Sequence, residues 1–296
     1  VNPPLSLYIH IPWCVKKCPY CDFNSHAARQ DTLPESAYID ALIRDLEMEL
    51  PRIWGRKVNT IFIGGGTPSL FTARSFDRLL STLRSHLNIH SQTEITLEAN
   101  PGATDTNIFK VIHELGINRL SIGVQSFNDE RLLQLGRIHD SSEALNAINI
   151  ARTSGFDNIN IDLMHGLPGQ DVGGALTDLK RACELDLTHI SWYQLTLEPN
   201  TVFYSHPPQL PDEDILFEIQ EQGGRYLAEN GYHQYEVSAY SQEGYECNHN
   251  LNYWLFGDYL GIGAGAHGKL TDAAQGKITR YARHSLPEKY MKLAGS

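Results

Sequence analysis

Short apolar runs and longer amphipathic stretches take turns along most of this chain. Leu5 to Ile11 predicts a first strand, and Pro34-Glu35 opens a helix with apolar residues at Tyr38, Ala41, Leu42, Leu46 and Leu50, close to a 3.6-residue period. Pro51 is expected to end that helix. Val58 to Ile63 predicts a second strand, followed by a helix over Ala73 to Leu87. Further strands are predicted over Glu94 to Leu97, Arg119 to Val124, Asn158 to Ile161 and His189 to Leu195. Helices are predicted between them, over Asp105 to Leu115, Asp129 to Leu135, Ser141 to Ser154 and Gly174 to Leu185.

Strands alternating with helices argue for βαβ units and a parallel sheet. Six such units fall short of the eight of a closed (β/α)8 barrel, so the expected fold is α/β, a partial (β/α)6 barrel over residues 1–200. After it the pattern changes. Tyr204 to Pro211 reads as a loop, Asp212 to Asn230 as a helix with Asp212 as its N-cap, and Tyr232 to Tyr240 as strand-like. Residues 201–296 therefore form a C-terminal α+β extension in this reading. The stretch around His249 has no clear helical or strand period.

Polar or glycine-rich groups follow the apolar run of strand after strand: a cysteine loop after Ile11, Gly64-Gly65-Gly66-Thr67-Pro68, Glu98, Gln125 and Asp162. Ligand sites in parallel α/β folds form at the carboxyl ends of the strands. These residues are thus expected to converge on one rim.

Composition narrows the chemistry. The net charge of −11, from 24 Lys and Arg against 35 Asp and Glu, argues against a nucleic-acid surface. No apolar run approaches the roughly 20 residues needed to cross a bilayer, and no signal-type segment opens the chain, so a cytoplasmic protein is expected. Five cysteines, three of them crowded together, do not look like a disulfide framework.

Those three, Cys14, Cys18 and Cys21, are spaced C-x3-C-x2-C. Thiolates at such spacing suit an Fe–S cluster or zinc. Structural zinc normally takes four protein ligands, and no partner pair follows at finger spacing. Three thiolates would instead hold three corners of a cubane and leave one iron open. The glycine triplet lets backbone approach a ligand closely, and it lacks the Gly-Lys-Ser/Thr ending of a phosphate loop. Glu98, Gln125, Arg137 and Asp162 could cradle a zwitterionic nucleoside or serve as structural polar groups. Gly261-x-Gly263-x-Gly265 opens no βαβ unit and has no acidic residue about 20 positions on, so a dinucleotide site is rejected in favour of a turn closing over the pocket. His249, beside Tyr253 and Trp254, could be an axial ligand for haem iron or a hydrogen-bonded structural residue.

Four segments together resemble the coproporphyrinogen III oxidase-like (HemN-like) branch of the radical S-adenosylmethionine (SAM) superfamily. They are Tyr8 to Cys14, Gly64 to Pro68, Gly123 to Phe127 and Asp162 to Gly169. The resemblance implies a [4Fe–4S] cluster on Cys14, Cys18 and Cys21, with SAM held by Tyr8, Tyr20, Gly65, Gly66, Thr67 and Glu98. In the oxidases, positions matching Gln125, Arg137, Asp162 and Thr196 help to bind a second SAM. Two features separate this chain from them. Phe23 stands where the oxidases carry a fourth cysteine, and almost no sequence precedes Tyr8. His249-Asn250-Leu251-Asn252-Tyr253-Trp254 is instead similar to the H-N-x-x-Y-W motif of the HemW branch. That resemblance implies a haem chaperone, with His249 at the haem, delivering it to respiratory haem proteins without oxidase activity. It leaves open transient association with membrane-bound partners and a dimer. The alternative is the oxidase reaction itself, SAM-radical decarboxylation of coproporphyrinogen III. Members of the branch usually continue into a further C-terminal domain, so the chain is expected to be truncated there.

Overall fold

The computed structural model describes residues 2–28, 33–103 and 106–295, the side chains of residues 103 and 106 apart. Six strands run parallel in chain order: β1 (Leu5–Ile11), β2 (Lys57–Gly65), β3 (Asn88–Ala99), β4 (Arg119–Gln125), β5 (Asn158–His165) and β6 (His189–Gln194). The helices between them are α1 (Glu35–Ile53), α2 (Ala73–His86), α3 (Thr106–Glu114), α4 (Asp129–Gln134), α5 (Ser141–Thr153) and α6 (Val172–Glu184). Beyond β6 come α7 (Glu213–Glu229), β7 (Ala239–Ser241), α8 (Asn248–Trp254), β8 (Asp258–Ile262), β9 (His267–Asp272), β10 (Lys277–Ala282) and α9 (Pro287–Leu293).

These strands belong to one sheet, which is an open, partial barrel. β7 pairs antiparallel with β6 at one end, while β8 returns to pair parallel with β1 at the other and carries β9 and β10 outward. The C-terminal strands therefore extend the barrel's own sheet. No helix is long and apolar enough, among the described residues, to cross a membrane.

Side chains on a strand point alternately to opposite faces. Leu5, Leu7, Ile9 and Ile11 of β1 join Ile61, Ile63, Leu97, Ile122, Ile161 and Ile190 in the core beneath the helices. The alternate set, Ser6, Tyr8 and His10, faces the barrel interior with Thr60, Phe62, Thr96, Glu98, Ser121, Asn160, Asp162, Ser191 and Tyr193 of the neighbouring strands. Register puts Ser6 beside Thr60, Tyr8 beside Phe62, Glu98 beside Ser121 and Asp162 beside Ser191. The interior is thus lined mostly by polar groups, an arrangement that costs free energy unless they are paired with one another or with a ligand.

Several element boundaries differ from the sequence reading. Pro51 lies inside α1, which continues to Ile53. A proline removes the bond to the carbonyl four residues back, here that of Glu47, which is exposed to water. β3 and β5 are longer than their apolar runs, so Glu98 and Asp162 lie within strands. The Tyr232–Tyr240 strand reduces to His233–Gln234 and Ala239–Ser241, joined by a turn. Around His249 the chain is helical, capped by the Glu94 carboxylate, which accepts from the Asn248 and His249 amides at 2.9 and 3.0 Å. The Asp105 start expected for α3 lies outside the described residues. Asp212 does cap α7, accepting from the Ile215 amide at 2.9 Å.

Candidate functional site

The cysteine loop leaves β1 at the rim formed by the strands' carboxyl ends. Its seat is a set of backbone bonds: Gly66 donates to Ile11 O and Thr67 to Trp13 O, both at 2.7 Å. Two glycines make that close approach possible. A Cβ on Gly66 would stand 2.5 Å from the Trp13 carbonyl oxygen, and one on Gly65, whose φ is +118°, would run into the His10 ring at 2.6 Å. Here the triplet is needed for packing strand against loop.

Cys14, Cys18 and Cys21 are each half-buried and free. Burial pushes the Cys14 and Cys21 thiols up, and each also feels the charge of its neighbours in the loop. Among the described residues no group of three or more His, Cys, Asp or Glu side chains could hold a single metal ion. Three thiols close enough to sense one another, yet not gathered on one point, form a soft donor set that fits a multi-iron cluster. Phe23, just past the loop, is 65% exposed.

Next to the loop the interior is acidic. Glu98 accepts from the Gly65 amide at 2.9 Å, and its carboxyl is pushed up to about 7, chiefly by burial and further by Asp162. Burial also raises Asp162, against hydrogen bonds from Asn160, Ser191 and Ser121 that favour its charged form. These are two carboxylates facing one space, and this cradle suits a cationic ligand. The ammonium and sulfonium of SAM carry the complementary charge.

Arg137 reaches in from the loop after α4, donating to Gly123 O at 2.7 Å and to the Cys18 sulfur at 3.5 Å. Tyr20 packs against Phe203. Gln125 accepts from the Tyr193 hydroxyl at 2.8 Å. Tyr193 feels Tyr20, Asp162, Arg137 and Cys21, so it stands among the rim groups. Thr67 bonds the Cys14 thiol. Thr196, two residues past the end of β6, is exposed and donates to Glu198 at 2.9 Å.

Tyr8 donates to His10 Nδ1 at 2.9 Å, and His10 Nε2 donates to Asn24 O at 2.8 Å on the way out of the cysteine loop. Asn24 in turn donates to Ala264 O and Ser285 O. The glycine-rich turn after β8 therefore buttresses the exit of the loop. His10, Asn24 and Tyr193 were not singled out from sequence. The signal for two of them is the alternation in Ser6-Leu7-Tyr8-Ile9-His10 and His189-Ile190-Ser191-Trp192-Tyr193, which marks a polar interior face.

His249 lies at the opposite end of the interior, 2% exposed. Thr60 donates to Ser6 at 2.8 Å, which leaves the Thr60 oxygen to accept from His249 Nδ1 at 2.8 Å. Nε2 then accepts from the Tyr253 hydroxyl at 3.2 Å. Burial, with help from Arg119, lowers this imidazole to about 3, so it is neutral. Its ring packs on Phe62 and Tyr8. Beyond it Tyr253, Trp254, Leu255 and Phe256 form a run of exposed apolar side chains.

Known proteins place this arrangement. The Radical SAM superfamily profile matches residues 8–182. A protein of Haemophilus influenzae named heme chaperone HemW is 55% identical over 98% of this chain and 76% of its own length. Its namesake in Escherichia coli is 53% identical over 98% of this chain and 76% of its length. Among solved structures, coproporphyrinogen III oxidase (HemN) from Escherichia coli superposes with a TM-score of 0.84 at 27% identity, over 98% of this chain and 69% of the other. The chain belongs to the HemW branch of the radical SAM superfamily.

Proposed function

We propose that this chain is a haem chaperone on a radical SAM scaffold, one that takes up haem at α8 and passes it to respiratory haem proteins. The observation that carries the reading is likeness over nearly the whole chain to proteins named heme chaperones, at 55% and 53% identity. Cys14, Cys18 and Cys21 would hold a [4Fe–4S] cluster. SAM would lie against the rim, its cationic groups toward Glu98 and Asp162, with Tyr8, Tyr20, Gly65, Gly66 and Thr67 around it. Gln125, Arg137 and Thr196 are the candidates for its outer contacts. When bound and reduced, the cluster supplies single electrons to SAM.

This chain's own residues do the rest. Thr67 and Ser25 hold the thiols by hydrogen bonds. Arg137 keeps positive charge beside the Cys18 sulfur, to which it donates at 3.5 Å. Haem, as cargo, meets the exposed end of α8, where Trp254 and Phe256 offer aromatic faces. Free thiols for iron require a reducing compartment, which supports a cytosolic location.

The test is anaerobic reconstitution of the cluster, titration with haemin, and incubation of the loaded protein with a haem-depleted respiratory haem protein. Saturable binding followed by transfer is expected. No binding and no transfer with the cluster intact would overturn the reading. Consumption of coproporphyrinogen III with SAM in the same preparation would favour the oxidase instead.

A further inference from the structure

Gln125, the last residue of β4, has a φ of +71° although it is not glycine. Such a backbone is costly for an L side chain and persists only where the surroundings dictate it. The other non-glycine residues with positive φ among the described residues, Asp186, Asn200 and Phe256, are exposed, whereas Gln125 is 6% exposed. Three features hold it there. β4 carries a bulge against β5: Ile122 pairs with Ile161 and Gln125 with Leu163, three steps against two. Gly123 inside the bulge gives the Gln125 amide room, since a Cβ there would stand 3.1 Å from Nε2 and 3.4 Å from Arg137 Nη2. Finally, Asp178 on α6 grips the residues that follow. Ser126 donates to its Oδ2 at 2.7 Å, and the Phe127 amide donates to its Oδ1 at 2.8 Å.

Asp178 is 2% exposed, on a face of α6 otherwise built from Ala175, Leu179 and Ala182. A carboxylate is costly to bury there, and an apolar residue would pack α6 equally well. Its place is explained by the turn it holds. On the other side of that turn, the Tyr193 hydroxyl donates to Gln125 Oε1 at 2.8 Å, which leaves Nε2 to donate on the rim beside Arg137. An amide N–H and a guanidinium side by side suit an acceptor oxygen, such as those of the carboxylate or ribose of SAM. We propose that Asp178 is a positioning residue for the SAM site: from the helix layer it holds the turn after β4, so that Gln125, with Tyr193, presents Nε2 to the ligand. The proposal rests on the reading of Gln125 as an outer SAM contact.

Asp178→Asn keeps the size of the side chain but cannot accept both bonds, and Ser126→Ala removes one of them. With the cluster reconstituted, both variants should keep wild-type iron and sulfide. Both should bind SAM about fivefold more weakly by calorimetry, the effect of one lost hydrogen bond. In a Gln125→Ala background, Asp178→Asn should weaken SAM no further, because its effect passes through Gln125. A merely structural role would instead multiply the two effects. Equal weakening with and without Gln125 would therefore overturn the proposal, as would wild-type affinity in both Asp178→Asn and Ser126→Ala. Should Asp178→Asn fail to fold, Ser126→Ala carries the same cycle. If Gln125→Ala alone binds SAM as tightly as wild type, Gln125 is not a SAM contact. That outcome removes the positioning role together with the contact, and it leaves the chaperone reading to its haem test.

Discussion

The rings of Tyr8 and His249 meet inside the barrel with centroids 6.5 Å apart, both packed on Phe62. One belongs to the strand that leads into the cysteine loop and the other to the helix at the far end. They share a wall, so a change at either side is felt by the other.

Removing His249 should therefore cost stability as well as haem contacts. His249→Ala leaves a cavity against Phe62 and an unpaired Thr60 oxygen, together about 2–4 kcal/mol. Urea unfolding of the haem-free protein measures it. A loss well under 1 kcal/mol would mean that α8 is not docked in solution.

Glu98 sets a pH dependence for the cationic ligand. Its carboxyl is pushed up to about 7 by burial, and a positively charged ligand favours the ionised form. SAM affinity should rise as pH increases from about 6 to about 8, with proton release on binding. Calorimetry in two buffers of different ionisation heat reads that release. Glu98→Gln should flatten the profile and weaken binding. The same group also makes the SAM-free protein less stable as pH rises: the folded state binds more protons than the unfolded state between the unfolded carboxyl value, about 4.3, and about 7, so unfolding free energy falls across that window.

Four of the five cysteines should divide cleanly. Substituting Cys14, Cys18 or Cys21 by Ala should bring iron and sulfide close to background after reconstitution. Cys183→Ser, at a half-buried site on α6, should retain both. Equal iron in all four variants would show that the loop does not carry the cluster.

Glu94 offers a way to loosen the motif helix without touching it. Its carboxylate accepts from the Asn248 and His249 amides and from the Asn248 side chain. Glu94→Gln should weaken that cap by about 1–2 kcal/mol. Amide exchange across residues 248–254 should speed up accordingly, and unchanged protection there would refute the capping role.

The parallel order of strands, the cysteine loop and its rim partners were legible in the sequence because each depends on local spacing. Apolar runs mark strands, C-x3-C-x2-C fits within one loop, and ligand groups in such folds gather where strands end. Glu98 and Asp162 were found in this way, although both lie within their strands. What spacing alone could not supply is pairing between distant segments. The polar interior face was present in the alternation of β1 and β6, but its meaning depends on which strands become neighbours. The helix at His249 owes its form to Glu94, more than 150 residues earlier in the chain, because a seven-residue helix is too short to hold itself in water without such a partner. The pairing of Tyr253 with His249 follows from that fold, since four residues in an extended chain would set their side chains far apart. Local order was written in the sequence; burial, which decides whether an imidazole is a free ligand or an occupied one, came only from tertiary contact.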